Sequence, residues 1–465
     1  KKLEEFKPIT DGKVSMYNCG PTVYSTAHIG NFRSFIVVDL LRRVLEHAGY
    51  DVKQVMNITD VGHLTDDGDD GEDKLAVAAK KEKLHPLDIA KKYTEEFLRD
   101  WKDLHMLEPY ARPRATETIQ EMIAMIEQLL KNGHAYESNG NIYYDVTSFP
   151  DYGKLSGNTL EKLGNNRVEP DPNKRNPNDF VLWFSNSKFE NHILKWDSPW
   201  GEGYPGWHVE CSAMARKLLG ETIDIHTGGE DNRFPHHECE IAQSEGASEK
   251  PFANYWLHVR HLMIEGEKMS KSQGNIYYIH QLIEEGYSWR AIRYLLLSTH
   301  YRSPLNFTKE GLVAAQKNLD RVDETLRKLD AIQREAQYHE PLELILNEAK
   351  LLIEQALFDD LNMSGALGTF SELIKKINTT LPDLSKEQAQ EIKETLLGFN
   401  HLFGFLDAGV LDMQDLTPEE KELLEARKKA RSEKNWEESD RVRDVLRDRG
   451  IEVRDEQDGQ HWKRL

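Results

Sequence analysis

Two short stretches far apart in the chain carry residues suited to handling a nucleoside triphosphate: His28-Ile29-Gly30-Asn31 and Lys268-Met269-Ser270-Lys271-Ser272. The first follows an extended run, Val14 to Cys19, and a Gly20-Pro21 turn, and leads into the helical pattern Phe35 to Leu41. A helix start of this kind can present backbone N–H groups to a phosphate. The second stretch adds two mobile ammonium groups, Lys268 and Lys271. Charge that builds on a pentavalent α-phosphate needs several donors converging from different parts of the chain, and this pair provides them. Taken singly, the first reads equally as a helix cap and the second as a polar loop.

A second constellation has the chemistry of a metal site. The chain holds three cysteines, Cys19, Cys211 and Cys239, an odd number that suits a thiol or metal role better than a disulfide framework. Cys19 ends the first extended run, Cys211 lies on a helical pattern after Trp207, and Phe234-Pro235-His236-His237-Glu238-Cys239-Glu240 opens another helix. His236 and Glu240, at i and i+4, share a helix face and can reach one ion. Thiolates with imidazole suit Zn²⁺ best. Cys239, at i+3, could replace Glu240 and make a closed Cys₃His site. The same residues also read as satisfied buried thiols beside an ordinary helix start.

The elements that must position these groups follow from pattern. Residues 14 to 60 read strand, turn, helix, strand (Val52 to Ile58), the start of a parallel sheet. Thr65 to Asp73 is rich in Asp and Gly but lacks the bidentate Glu of an EF-hand, and reads as an acidic loop. Helical patterns run from Pro86 to Leu107 and from Thr116 to Asn132. Residues 140 to 200, rich in Asn, Pro, Gly and Trp, look like an insertion. Pattern returns as a helix from Trp207 to Leu219, a strand from Thr222 to His226 and a turn at Gly228-Gly229. Beyond Gly286 the chain reads almost entirely helical; Leu312, Ala315, Leu319, Val322, Leu326 and Leu329 form one packing seam. Asp407 to Pro418 reads as a linker.

At 465 residues the chain has room for several domains and a sizeable core. No run of about 18 apolar residues occurs and no apolar leader opens the chain, so neither membrane insertion nor secretion is expected. A formal charge of -20 argues against a surface that binds nucleic acid generally. From Thr417 onward, 13 Lys/Arg face 14 Asp/Glu, which makes that tail the candidate for local RNA contact.

The two phosphate-facing stretches, in this order and a domain's length apart, resemble the signatures of class I aminoacyl-tRNA synthetases. Asn18-Cys19-Gly20-Pro21-Thr22-Val23-Tyr24, Gly206-Trp207-His208-Val209-Glu210-Cys211-Ser212-Ala213-Met214 and Phe234-Pro235-His236-His237-Glu238 narrow the resemblance to the cysteinyl-tRNA synthetase family. Tyr301-Arg302-Ser303-Pro304-Leu305-Asn306 and Trp436-Glu437-Glu438-Ser439-Asp440 extend it over nearly the whole chain. The resemblance implies an α/β fold: a Rossmann-like nucleotide-binding parallel sheet with an inserted acceptor-binding domain, then a helical bundle and a small C-terminal domain. The implied divisions are 1–110 and 201–257 for the catalytic halves, 111–200 for the insertion, 258–310 for the Lys-Met-Ser-Lys-Ser loop and stem-contact region, 311–406 for the bundle and 407–465 for anticodon binding.

The resemblance further implies one Zn²⁺ held by Cys19, Cys211, His236 and Glu240, with Cys239 where the family usually has a non-ligand polar residue. Thr59, Trp207 and Asp231 would hold the carbonyl or amine region, wall the pocket and meet the ammonium of L-cysteine. His28, Gly30, Asn31, Lys268 and Lys271 would bind ATP, accompanied by Mg²⁺, with Asn31 standing where the signature's commonest form has a second histidine. Cysteinyl-adenylate would form first, and the cysteinyl group would then pass to the 3'-terminal ribose of tRNA-Cys. In the tail, Trp462 beside Lys463 and Arg464 is the expected base-stacking residue, and Trp436, in pattern with Val442 and Leu446, the expected core residue. A cytoplasmic monomer is expected. Two other readings are a zinc-dependent ligase joining cysteine to an amino sugar, which should lack the helical half and the Trp436 tail, and an idle RNA-binding paralogue, which should lose the motifs.

Overall fold

The computed structural model describes residues 3–62, 73–163, 171–186, 193–269, 274–335, 342–406, 417–456 and 459–464. Most of the Thr65–Asp73 run, Ser270 to Ser272 with Lys271, and most of the 407–418 linker lie outside the described residues. The chain divides into two compact units, one of Lys1–Leu319, Pro341–Lys376 and His401–Phe405, the other of Asp320–Glu340, Ile377–Asn400 and Leu406–Leu465.

The first unit is built on a four-stranded parallel sheet in the order Asp51–Met56, Lys13–Asn18, Ile223–Gly229, Ala253–Val259. Its first three strands in chain order mix polar and apolar residues, yet most of their positions are buried, as in a sheet covered on both faces. The expected turn at Gly228-Gly229 is instead strand, with Gly228 opposite His258 and Gly229 opposite Val259. Parallel pairing overrides the local preference of two glycines there. The long excursion between the second and third strands contains an antiparallel sheet of Ala135–Ser138, Asn141–Tyr144, Phe180–Phe184 and Tyr204–Pro205, paired in chain order. Helices Ile119–Asn132, Trp207–Leu219 and His236–Ser248 share a core with these strands, centred on Ile126, Ile142, Trp183, Val209 and Ile241.

Helix Ile29–His47 runs from the end of the first strand and buries Phe32, Phe35, Ile36 and Leu40. Its charged groups are paired inside the unit: buried Asp39 is held by Arg43 (2.7 Å) and Arg293. Helix Lys309–Asp330 buries all six residues of the predicted seam. In the second unit, helices Pro418–Ser432 and Trp436–Asp448 pack with an antiparallel hairpin, Ile451–Glu456 and Gly459–Arg464, around Leu424, Val442, Leu446, Ile451 and Val453. That hairpin departs from the almost entirely helical character expected beyond Gly286.

Candidate active site

The carboxyl ends of the parallel strands, where open α/β sheets bind ligands, surround a cavity of about 480 Å³ lined by both phosphate-facing stretches and by three of the candidate metal ligands. At one end, His28 is the N-cap of helix Ile29–His47 in extended backbone conformation. It makes a reciprocal capping box with Asn31: the Asn31 N–H donates to His28 Nδ1 (3.2 Å) and the His28 N–H to Asn31 Oδ1 (3.0 Å). The Ile29 N–H donates to the Tyr277 carbonyl (2.9 Å). Of the first helix N–H groups, those of Ile29 and Asn31 are thus engaged by the Tyr277 carbonyl and by the cap, which narrows the run of N–H groups expected to face a phosphate. With its oxygen in the cap, Asn31 has its Nδ2 to offer an anion.

Gly30 lies against the second stretch, since a Cβ there would come 2.6 Å from the Met269 Cε and displace that flexible side-chain tip. Lys268 ends the short strand Glu267–Lys268, opposite Met263 of Leu262–Ile264, and lines the cavity. Arg33, one turn into the helix, is 1% exposed. Its guanidinium donates to the carbonyls of Arg260 (2.7 Å), His261 (2.7 Å) and Ser303 (2.6 Å), which ties the first stretch to the segment leading into the Lys268 hairpin.

At the other end of the cavity, the donor atoms of Cys19, Cys211, His236 and Glu240 lie within 4.8 Å of one another, all buried. The strand end supplies Cys19, helix Trp207–Leu219 supplies Cys211, and the first turn of helix His236–Ser248 supplies the i, i+4 pair, Nε2 to Oε1 3.0 Å. Gly20, next to Cys19, must be glycine because a Cβ would meet the Asn57 carbonyl at 1.8 Å. Cys239 belongs to neither grouping of donors found among the described residues and turns instead to Tyr152 (Oη to Sγ 3.5 Å).

The electrostatics suit a cation. Burial works against the charge on His236, yet Glu240 and Cys211 hold its pKa up to about 10. The contact with Cys19 draws Cys211 down to about 7, whereas burial and then Cys211 push Cys19 up. Burial resists ionisation of Glu240, but His226 and His236 keep its carboxyl well below the usual range. Two thiols, a histidine ring whose proton a metal would displace and an ionised carboxylate thus converge, a donor set that fits Zn²⁺. An overlapping group, Cys19, His226, His237 and Glu240, is also close enough to share an ion. The first group is preferred because Cys19, Cys211 and His236 all border the cavity, whereas His226 and His237 do not. His226 instead donates its Nε2–H to Glu240 Oε2 (2.8 Å) behind the cluster, and stacks on Trp256.

The other expected residues fall around this end. The Trp207 ring stacks on His236 at 4.5 Å between centroids. The Thr59 hydroxyl accepts from Asn57 Nδ2 (2.9 Å) and donates to buried Glu210 (3.1 Å). Asp231, in the turn Glu230–Arg233 after the third strand, lines the cavity wall. Sequence reasoning passed over Arg33, the His226–His237–His258 group and Lys74. Lys74 closes an acidic run, and its place on the cavity wall beside Tyr24 and Trp207 has no local signature.

A parallel nucleotide-binding sheet, an inserted antiparallel sheet and two phosphate-facing stretches meeting over one cavity are the arrangement of a class I aminoacyl-tRNA synthetase. The family described as tRNA synthetases class I (C) catalytic domain matches residues 5–317, a DALR domain matches 353–407, and a cysteinyl-tRNA ligase anticodon binding domain matches 413–462. In fold, the chain is similar to a Mycobacterium tuberculosis methionyl-tRNA synthetase (TM-score 0.59, 15% identity, 90% of this chain and 94% of that one). It is also similar to the LeuRS of an Agrobacterium radiobacter K84 LeuRS–tRNA–LeuAMS complex (TM-score 0.64, 12% identity, 86% and 85%). The cysteine–tRNA ligase of Chlorobaculum tepidum is 44% identical over 99% of this chain and 96% of its own length. Those of Brachyspira hyodysenteriae and Thermus thermophilus are each 43% identical, covering 100% and 98% of this chain and 98% and 96% of their own lengths. The chain belongs to the cysteine–tRNA ligase family.

Proposed function

We propose that this chain activates L-cysteine with ATP to cysteinyl-adenylate and transfers the cysteinyl group to the 3'-terminal ribose of tRNA-Cys. The observation that carries the reading is the shared cavity: Cys19, Cys211 and His236 of the donor cluster line it together with His28, Asn31 and Lys268 of the phosphate-facing stretches. Zn²⁺ held by Cys19, Cys211, His236 and Glu240 would supply a soft Lewis acid that favours a thiolate over the harder, less acidic hydroxyl of serine. Thr59 and Asp231 orient the backbone of the amino acid, and Trp207 walls it from water.

The carboxylate then attacks the α-phosphate in line and pyrophosphate leaves, a step that needs positioning and charge stabilisation more than a dedicated base. His28 and Asn31 donate to the phosphates, Lys268 and Lys271 close over them, and Mg²⁺ accompanies ATP. The domain from about residue 407 binds the anticodon. The helical half and the Trp436 segment, both present, weigh against the amino-sugar ligase, and intact His28, Lys268, Cys19 and Cys211 weigh against an idle paralogue. No described helix is long and apolar enough to cross a membrane. Charging of tRNA-Cys with radiolabelled cysteine tests the reading; a chain that forms adenylate but charges no tRNA overturns its second half.

A further inference from the structure

We propose that the Tyr17 hydroxyl donates a hydrogen bond to the Cys211 thiolate when that sulfur binds a metal, and so strengthens the metal centre from behind the cavity. The inference deepens the reading of the donor cluster given above and rests on it. Tyr17 and Cys19 stand two residues apart at the end of strand Lys13–Asn18, and an extended chain puts i and i+2 on one face. Tyr17 is buried, in the same core as Cys19 and Cys211. Its strand partner is His226, with 5.3 Å between the ring centroids, and His226 contacts Glu240 (2.8 Å). The Tyr17 ring thus lies among residues that supply or touch the donors, yet it does not border the cavity where a substrate would sit.

The hydroxyl is the informative group. Its oxygen is buried with no hydrogen-bond partner among the described residues, and a buried donor left unsatisfied costs about 1–3 kcal/mol. Burial raises its pKa well above the usual range; of its neighbours Cys211 raises it most, then Cys19 and Glu240. Both Glu240 oxygens are occupied, Oε1 by His236 (3.0 Å) and Oε2 by His226 (2.8 Å). The Cys19 sulfur already has His237 Nε2 at 3.3 Å. Cys211 is the neighbour that acts on the hydroxyl through hydrogen-bonding contact as well as through charge, although the approach falls short of a formed bond. A neutral thiol is a weak acceptor, whereas a thiolate, the form in which cysteine binds metal, takes shorter and stronger hydrogen bonds. An unmet donor therefore stands beside a sulfur that gains acceptor strength on ligation. The Cys211 proton leaves to water as the sulfur binds the metal, and Tyr17 keeps its own. Tyr17 acts as a positioning residue, since a group that hydrogen-bonds a ligand from behind orients it and tunes the metal.

The test compares the full chain with its Tyr17→Phe form, which keeps the ring and removes only the hydroxyl, and with Tyr144→Phe as a control. Tyr144 is equally buried in the same core, but its hydroxyl donates to the Ala242 carbonyl (2.8 Å). Zinc affinity is read by competition against a chromophoric chelator, and cobalt-substituted protein supplies the thiolate-to-metal charge-transfer band. Tyr17→Phe should weaken zinc on the order of 10-fold and move the band to longer wavelength, because a thiolate without the hydrogen bond gives up an electron more readily. Tyr144→Phe should leave both unchanged. A hydroxyl with no role toward the metal predicts the opposite for Tyr17→Phe: the same affinity and band, with stability equal or higher. That result overturns the proposal, as does a Tyr144→Phe form that shifts both to the same extent. An unsubstituted chain that takes up no zinc overturns the reading of the cluster itself, and this inference with it.

Discussion

Replacing Arg33 with methionine tests whether one buried side chain keeps the two phosphate-facing stretches in register. Among the described residues Arg33 pairs with no carboxylate; it donates to four backbone carbonyls, three of them at 2.6 to 2.7 Å and that of His300 at 3.5 Å. Burial alone pulls its pKa well below the usual arginine range, down to about 10, roughly 3 kcal/mol against the charged form. The carbonyl contacts must offset that cost. Methionine keeps much of the aliphatic volume and removes both the charge and the donors. Three orphaned carbonyls at about 1–3 kcal/mol each, less the relieved burial of charge, leave a net loss of about 3 kcal/mol. The melting temperature should fall by several degrees. The kinetic split is more diagnostic, because Arg33 touches the segment feeding the Lys268 hairpin and none of the donor cluster. Single-turnover adenylate formation should slow at least ~10-fold, since small misplacements of reacting groups cost up to about 10², while cysteine affinity stays within about twofold. A folded variant with an unchanged adenylation rate refutes the argument, as does one that loses cysteine affinity to the same degree.

Because Cys239 faces Tyr152, the Cys239→Ser form should retain about one zinc per chain by elemental analysis, whereas Glu240→Gln should lose most of it; the opposite pattern would restore a Cys₃His site. Trp436→Ala should change stability by less than about 0.5 kcal/mol yet weaken tRNA-Cys binding by about 1–3 kcal/mol if a base stacks there. Trp462→Ala, half-buried on the hairpin, should instead cost about 2 kcal/mol of stability in thermal unfolding of the full chain. For Asp39, burial raises the carboxyl pKa but Arg293 and Arg43 overcome it and hold it below the ordinary value. A depressed acid contributes stability above its unfolded pKa of about 3.9 and loses it as pH falls through the folded value. Asp39→Asn should therefore cost about 3–5 kcal/mol near neutral pH and flatten the acid limb of a denaturation series below about pH 4; an unchanged acid limb would remove Asp39 from the account.

The parts of the fold legible in the sequence were those whose pattern and packing agree. The strands near Val14 and Val52 and the helix from Trp207 to Leu219 lie within a residue or two of expectation, since apolar period and burial coincide there. The i, i+4 spacing of His236 and Glu240 likewise put both donors on one face. The two tail tryptophans differ in burial from expectation, Trp436 being exposed and Trp462 partly buried. Trp436 is 55% exposed and lies under the Arg431 guanidinium at 5.4 Å, because about 100° per residue turns it roughly 90° from the Ser439, Val442 and Leu446 face. Trp462 stands in a strand opposite Val453 and packs on the small core, a pairing set by a hairpin that helical pattern could not show. Arg33 was hidden for a similar reason: a lone arginine among apolar helix residues gives no hint that its partners are carbonyls more than 200 residues away.

The central claim is that the Cys19, Cys211, His236 and Glu240 cluster selects a thiol for activation. ATP–pyrophosphate exchange with cysteine and with serine, on protein of measured zinc content, tests it most directly. The claim predicts exchange with cysteine, a kcat/KM for serine lower by at least ~10³, beyond the roughly 150-fold that pocket shape alone gives in a sibling synthetase's handling of a single methylene, and loss of cysteine exchange in proportion to zinc removed by chelation. Serine within about 10² of cysteine, or a zinc-free chain that keeps its preference, would contradict it.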